Sequence, residues 1–347
     1  MQEPALLKQY AKSGSQLFLP LALLLALIIG WTIFWYGNSR QAAAAISTWM
    51  EREAELGRQW SCPGQKIGGF PFSITVSCVN PHFQGKVLGE TVTGTFRGLH
   101  AKAPLVRPGS IAMELDSPLS AAGSGGAFNF SMQWSGLRFE FEIESGPPKR
   151  FSVSGSQFQM RWQGGGAGSV EGTIAMLNGT ASGRTAKPGS AYDVTISLQQ
   201  ASIPALDNFL ATTLPLSAQF EGTVTQIEGN SAAALTDFLE KWRAANGRVD
   251  IVRASLTSGP DGFDAKGSIG LDSEHRPQGK LDARFAGLET ALRRMNADPV
   301  KLAIGQALSG LLGGGKGGAR LALPLILSDG FVRIGPFRTN IQIPPLY

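Results

Sequence analysis

Charge is scarce in this chain: Asp, Glu, Lys and Arg make up only 16% of its 347 residues. The net charge of +5 is small and dispersed. No basic stripe interleaved with stacking aromatics is present, which argues against a nucleic-acid partner. Histidine is scarcer still. His82, His100 and His275 stand far apart, none in an H-E-x-x-H pair, so no metal and no other cofactor is expected. A G-x-S-x-G elbow is missing as well, and with it the nucleophile of an α/β hydrolase. Acid pairs such as Glu142 and Glu144 alternate along one strand face, whereas glycoside hydrolysis needs carboxylates facing each other across the bond. The expectation is a protein that is not an enzyme. A hydrolase whose residues converge only in space is the remaining alternative.

Cysteine is nearly absent too. The two present, Cys62 and Cys78, fit a disulfide in an oxidising compartment, and two buried free thiols are the alternative. Closing a loop of about fifteen residues contributes ~3 kcal/mol in the chain-entropy model.

The feature that stands out against this background is apolar. Leu17 to Gly37 carries no charge over about twenty residues, the length of helix that crosses a ~30 Å hydrocarbon layer. Lys8 and Lys12 precede it, which keeps residues 1–16 in the cytoplasm by the positive-inside rule. The expected location is a bacterial inner membrane, crossed once, with the bulk of the chain in the periplasm. A cleaved signal peptide is the rival reading, with Ala42 to Ala45 as a possible small-residue site. The run is longer than such peptides need. Trp31, Trp35 and Tyr36 near its outer end also suit the membrane surface, so an uncleaved anchor at 17–37 is favoured. Residues 38–60 read as a juxtamembrane helix, with Ile46, Trp49, Met50 and Glu53 on one side. That side packs on the exported domain, or the helix stands in water.

Beyond Lys66 the hydrophobic period changes from helical to two. Leu137, Phe139, Phe141 and Ile143 alternate with Arg138, Glu140, Glu142 and Glu144. Tyr192 to Leu198, Phe263 to Leu271, and Leu321, Leu323, Leu325 and Leu327 repeat the pattern, with Gly-rich breaks between runs. The fold class expected is mainly β: an N-terminal transmembrane helix, then an elongated antiparallel sheet, curled or sandwich-like, with a few short helices. Two β-rich halves are drawn, 61–188 and 189–347. Helices are expected at Pro204 to Thr212, at Ala232 to Asn246 with Leu235, Phe238, Leu239 and Trp242 on its core face, and from about Leu288 to Leu312. Ala121 to Gly126, Gly164 to Gly168 and Ser182 to Ser190 read as loops. Gly310 to Lys316 matches the first positions of a phosphate-binding loop, but Gly317 stands where the magnesium-binding hydroxyl belongs, and a flexible turn is the simpler account.

Ile67-Gly-Gly-Phe-Pro-Phe72 makes a sharp lead into the strand Ser73 to Ser77. Phe70 and Phe72 are either buried at this corner or offered as an aromatic contact to lipid or a partner. An anchor, an Ala-rich helix and this G-G-F-P-F together resemble the uncharacterised DUF2125 family of alphaproteobacterial envelope proteins. Asp329 to Pro336 and Ile343 to Tyr347 resemble that family's terminal strand pair. The resemblance implies no catalytic residue. A more distant similarity, over Phe238 to Phe285, is to AsmA-like proteins. It implies a curled sheet with an apolar inner groove, linked to lipid traffic or outer-membrane assembly.

The function expected is binding or handling of lipid in envelope biogenesis. Leu137, Phe139, Phe141, Ile143, Leu321, Leu323, Leu325 and Leu327 are the candidate groove, and phospholipid is the candidate partner. The structural alternative packs the same faces together as a closed sandwich core. The functional alternative is a scaffold or assembly factor that binds another envelope protein.

Overall fold

The structure, a computed structural model, describes residues 13–87, 90–144, 148–164, 168–184, 190–204, 207, 213–227, 235–286, 321–335 and 337–347. A single helix, α1 (Ser13–Glu55), carries the apolar run and continues without a break beyond it. Its 43 residues reach about 65 Å at 1.5 Å each, twice a bilayer core. The apolar part is bare of protein. Leu27 is 71% exposed, and the other large side chains from Phe18 to Ile29 are exposed as well. The helix stops where Gly57 takes a positive φ of 76° and Arg58 turns back on Glu53, Nε to Oε2 at 2.6 Å. The expected helix to residue 60 is therefore too long, because Trp60 already lies in a strand.

Five strands open the sheet: β1 (Gln59–Ser61), β2 (Lys66–Gly68), β3 (Ser73–Val79), β4 (His82–Val87) and β5 (Glu90–Pro104). β5 pairs with β3 along one half and with β4 along the other. Those two are one course interrupted at Asn80–Pro81, where Asn80 has φ 50°. β2 and β1 continue outward in the same way, on β3 and β4 respectively. Cys62, in the break between β1 and β2, is bonded to the buried Cys78 of β3, so the disulfide ties the outer course to its neighbour.

From β5 onward the chain is an antiparallel meander. It runs through β6 (Ser110–Gly123), β7 (Phe128–Glu142), β8 (Arg150–Gly164), β9 (Ser169–Gly183), β10 (Ser190–Ser202) and β11 (Leu216–Ile227). A short helix, α2 (Leu235–Ala244), follows. The sheet resumes with β12 (Val249–Ser258), β13 (Asp261–Leu271), β14 (Pro277–Ala286), β15 (Leu321–Ser328), β16 (Phe331–Ile334) and β17 (Phe337–Gln342). All 17 strands among the described residues belong to one sheet, and it is not closed. No break separates the two halves: β9 and β10 pair from Gly183↔Tyr192 to Thr173↔Ser202.

Irregularities line up across the first strands. Register shifts fall at Phe96/Gly98 on β5, Leu115/Leu119 on β6, and Gln133 to Arg138 on β7, and Gln157 in β8 has φ 53°. Aligned bulges bend a sheet about the line they share. Trp134, Leu137 and Phe158 cluster there, and the Trp134 Nε1–H donates to the Leu115 carbonyl at 2.8 Å. A second cluster joins Ala265, Leu281 and Ala283 with Ile251, Phe263, Ile269, Phe285 and Leu325.

Other expectations are adjusted. Ala121 to Gly123 belong to β6, and only Ser124–Gly126 form a turn, because β7 supplies partners as far as Ala122. Of the apolar stripe on α2, Trp242 is buried and its Nε1–H reaches the Thr225 carbonyl at 2.7 Å, while Leu235 is 71% exposed. The helix expected at Leu288 to Leu312, the Gly310 to Lys316 segment and most of Pro204 to Thr212 lie outside the described residues.

Candidate functional site

In a sheet, residues directly opposite one another across paired strands point to the same face. The registers here can be followed from strand to strand. Starting at Phe139 in β7, the opposite partners are Val153, Gly179, Ile196, Phe220, Ala254, Ala265, Ala283 and finally Leu323 in β15. In the other direction the row passes through Met113, Ala101, Val76 and Ile67. None of these residues is polar. A second row runs from Phe141 through Phe151, Ala181, Val194, Gly222, Ile251, Gly267 and Leu281 to Leu325. A third passes from Gly155 through Leu177, Leu198, Ala218, Leu256, Phe263 and Phe285 to Leu321, with Leu137 in contact distance of the Gly155 position.

The two sets of candidate residues thus share one face of one sheet, joined by continuous apolar rows. They belong to separate apolar clusters. β7 and β15 are eight strands apart, on the order of 38 Å at the usual strand spacing. Ile143 lies one residue past the end of β7, where its N–H donates to the Gly109 carbonyl at 2.8 Å. Leu327 is buried opposite Gly279.

The middle of this face is not covered as a core is. Phe139, Phe141, Val194, Phe220 and Leu325 are only half-buried, and Ile196 stays 43% exposed. No large side chain among the described residues falls below 2% exposure. The opposite face is polar. Arg138 sits 3.0 Å from Glu140 and 3.3 Å from Glu114, Lys149 pairs with Glu144 at 2.8 Å, and Arg161 with Glu171 at 2.8 Å. Such exposed pairs contribute little to stability, and here they show which side faces water. A hollow of about 600 Å³ at β12 to β15 is lined by Arg253, Asp264, Lys266, Asp282 and Arg284, a mixture of signs, together with Ala265, Ala283 and Leu323.

The G-G-F-P-F corner docks on α1. Trp31 Nε1–H donates to the Pro71 carbonyl and Trp35 Nε1–H to the Ser73 carbonyl, each at 2.8 Å. Phe70 meets the Trp35 ring edge-on at 5.6 Å. Gly69, with φ 97°, lets the chain fold so tightly that a Cβ there would lie 2.6 Å from the Ser73 carbonyl oxygen. Higher on α1, Trp49 packs on Trp60, which packs on Phe83 of β4. The sequence reading missed the indole hydrogen bonds, which periodicity does not signal. It also missed Trp134 and Phe158, because a bulge scrambles the alternation that would have marked them.

An apolar helix compatible with a membrane anchor leads into a one-layer antiparallel sheet with one apolar and one polar face. That combination defines a class of mainly β protein with one long apolar N-terminal helix. The chain belongs to the DUF2125 family, described as an uncharacterized protein conserved in bacteria, whose model matches residues 35–341. That span holds nearly the whole sheet and starts at Trp35, inside the docked corner. No curated protein and no solved structure matches the chain.

Proposed function

We propose that this protein is a non-enzymatic lipid-handling module of the bacterial envelope. It is held in the inner membrane by α1, with its sheet in the periplasm. The observation that carries this reading is the set of unbroken apolar rows, buried at Leu137, Ala265, Leu281 and Ala283 but only half-buried at Phe139, Phe141, Val194 and Phe220. Twelve strand-to-strand steps from β2 to β15 make a track roughly 60 Å long. The two shorter rows, from β7 and β8 to β15, widen it by about 7 Å on either side to an area on the order of 500 Å², the size of patch that on a soluble monomer often has a use. Acyl chains need only a dry surface, without hydrogen bonds, and burial on apolar surface is worth about 25 cal/mol per Å². Ionic groups stay on the other face. The similarity of Phe238 to Phe285 to AsmA-type modules supports the same reading. α2, β12, β13 and β14 follow one another there in the order that similarity implies. An alphaproteobacterial origin belongs to the same proposal.

The test uses the full chain extracted from membranes with photo-crosslinking residues at Phe139, Ile196 and Leu323, and controls at Glu140 and Arg284 on the polar face. Phospholipid adducts at the first three positions and none at the controls are expected. Capture of a protein instead of lipid at those three positions favours a scaffold, and absence of lipid at all three overturns the lipid track.

A further inference from the structure

The corner at Phe70–Phe72 buries less than its composition calls for. Phe72 is 72% exposed and Phe70 51%. Next to them, the turn between β5 and β6 carries Val106, which is 80% exposed. The Leu105 N–H donates to the Phe72 carbonyl at 3.0 Å, so the two loops form one surface. Arg107 follows Val106 and has no ion-pair partner among the described residues. Exposed rings and an aliphatic side chain grouped with a cation are costly in water and suited to a headgroup layer, where apolar groups sink and a guanidinium meets phosphate.

Its depth relative to α1 is fixed by the two indole hydrogen bonds. The stretch from Phe18 to Tyr36 spans about 28 Å, close to one hydrocarbon thickness. Trp31 and Trp35 therefore stand in its last third, and the loop they hold stands at the same level. Beside it, Thr32, Ile33, Trp35, Tyr36 and Phe70 line a crevice of about 430 Å³. Its aromatic and aliphatic walls suit an acyl chain.

We infer that the Phe70–Phe72 loop and the Leu105–Arg107 turn form a foot that seats the sheet in the outer leaflet of the bilayer that α1 crosses. Phe72 and Val106 insert among the acyl chains, and Arg107 meets lipid phosphate. The inference rests on the membrane anchoring proposed above. It adds that the sheet is held down at one end, rather than swinging freely from the helix. The end of the apolar track at β2 and β3, where Ile67 faces Val76, then begins beside the lipid surface.

The full chain is reconstituted in vesicles of phosphatidylethanolamine and phosphatidylglycerol at about 3:1. A nitrobenzoxadiazole fluorophore is placed on single added cysteines: Phe72→Cys, Val106→Cys, Ile28→Cys within the span, and Ser124→Cys at the other end of β6. Doxyl-labelled lipids are then added as quenchers. Quenching at positions 72 and 106 at least twofold above that at 124, with blue-shifted emission, is the expected result. Quenching at 28 without quenching at 72 and 106 overturns the foot and leaves the anchor standing. No quenching at 28 overturns the anchor, and the foot with it.

Discussion

Glu53 looks out of place in the helical stripe Ile46, Trp49, Met50 until Arg58 is seen. The guanidinium donates to both carboxylate oxygens, at 2.6 and 2.7 Å, and holds the Glu53 carboxyl below its ordinary range. A stripe of mixed polarity thus ends α1 with its own counter-charge. Glu240 has a comparable setting near the C-terminus. It accepts from Arg243 and from the Tyr347 hydroxyl, the latter at 2.9 Å, while the Tyr347 ring stacks on His275 at 4.3 Å. Hydrogen bonds from Arg243, then Tyr347, bring its pKa from 4.5 down to about 2. A depressed carboxylate stabilises the fold above its unfolded pKa and loses that contribution as pH falls through the folded value. The C-terminal contact is therefore expected to hold above pH 4.5 and to release between about 4.5 and 2, seen as a shift of the Tyr347 ring resonances that Glu240→Gln abolishes. The disulfide acts at the same scale. Cys62→Ser with Cys78→Ser is expected to cost about 3 kcal/mol, read as a lower denaturant midpoint of the full chain in detergent.

Among the elements, the strands with clean alternation were legible in the sequence, because a sheet with one wet face writes its period into polarity. Leu137 to Phe141 and Leu321 to Leu327 are such strands, and both are found in the structure. What escaped were features with no period. The bulge at Ser135–Gly136, with Gly136 at φ 64°, displaces Trp134 from the pattern, yet Trp134 is buried with Leu137 and Phe158. Trp134→Ala is expected to destabilise by about 3–5 kcal/mol, since it removes a buried indole and its hydrogen bond. Leu235→Ala is expected to stay within about 0.5 kcal/mol, because a stripe position predicted from helical spacing proves to be solvated. Thermal unfolding of the two variants separates them. That Phe139 and Leu323 share a face was illegible as well. It depends on eight successive registers, and register follows from turns and bulges that no single strand encodes.

At the scale of the whole molecule, the sheet is a string of neighbours. Each strand from β5 to β16 pairs with the one before it and the one after, and among the described residues α1 meets the first edge through Trp31, Trp35 and Trp49. Open edges invite pairing with other chains. Here the first edge is interrupted between β1 and β2 and bonded through Cys62, and the last is followed by Pro344–Pro345, which has no N–H to offer a further strand. Truncation after Gln342 is expected to raise self-association, measured by light scattering of the detergent-solubilised chain.

Pairing only between neighbours has a further consequence. Removing two consecutive strands preserves strand direction and leaves every remaining side chain on its own face. Length along the apolar rows then becomes a quantity that changes in increments of about 10 Å per hairpin. Such a molecule can be ruled to a given distance by counting hairpins, with the helix and the Phe70 corner left as they are.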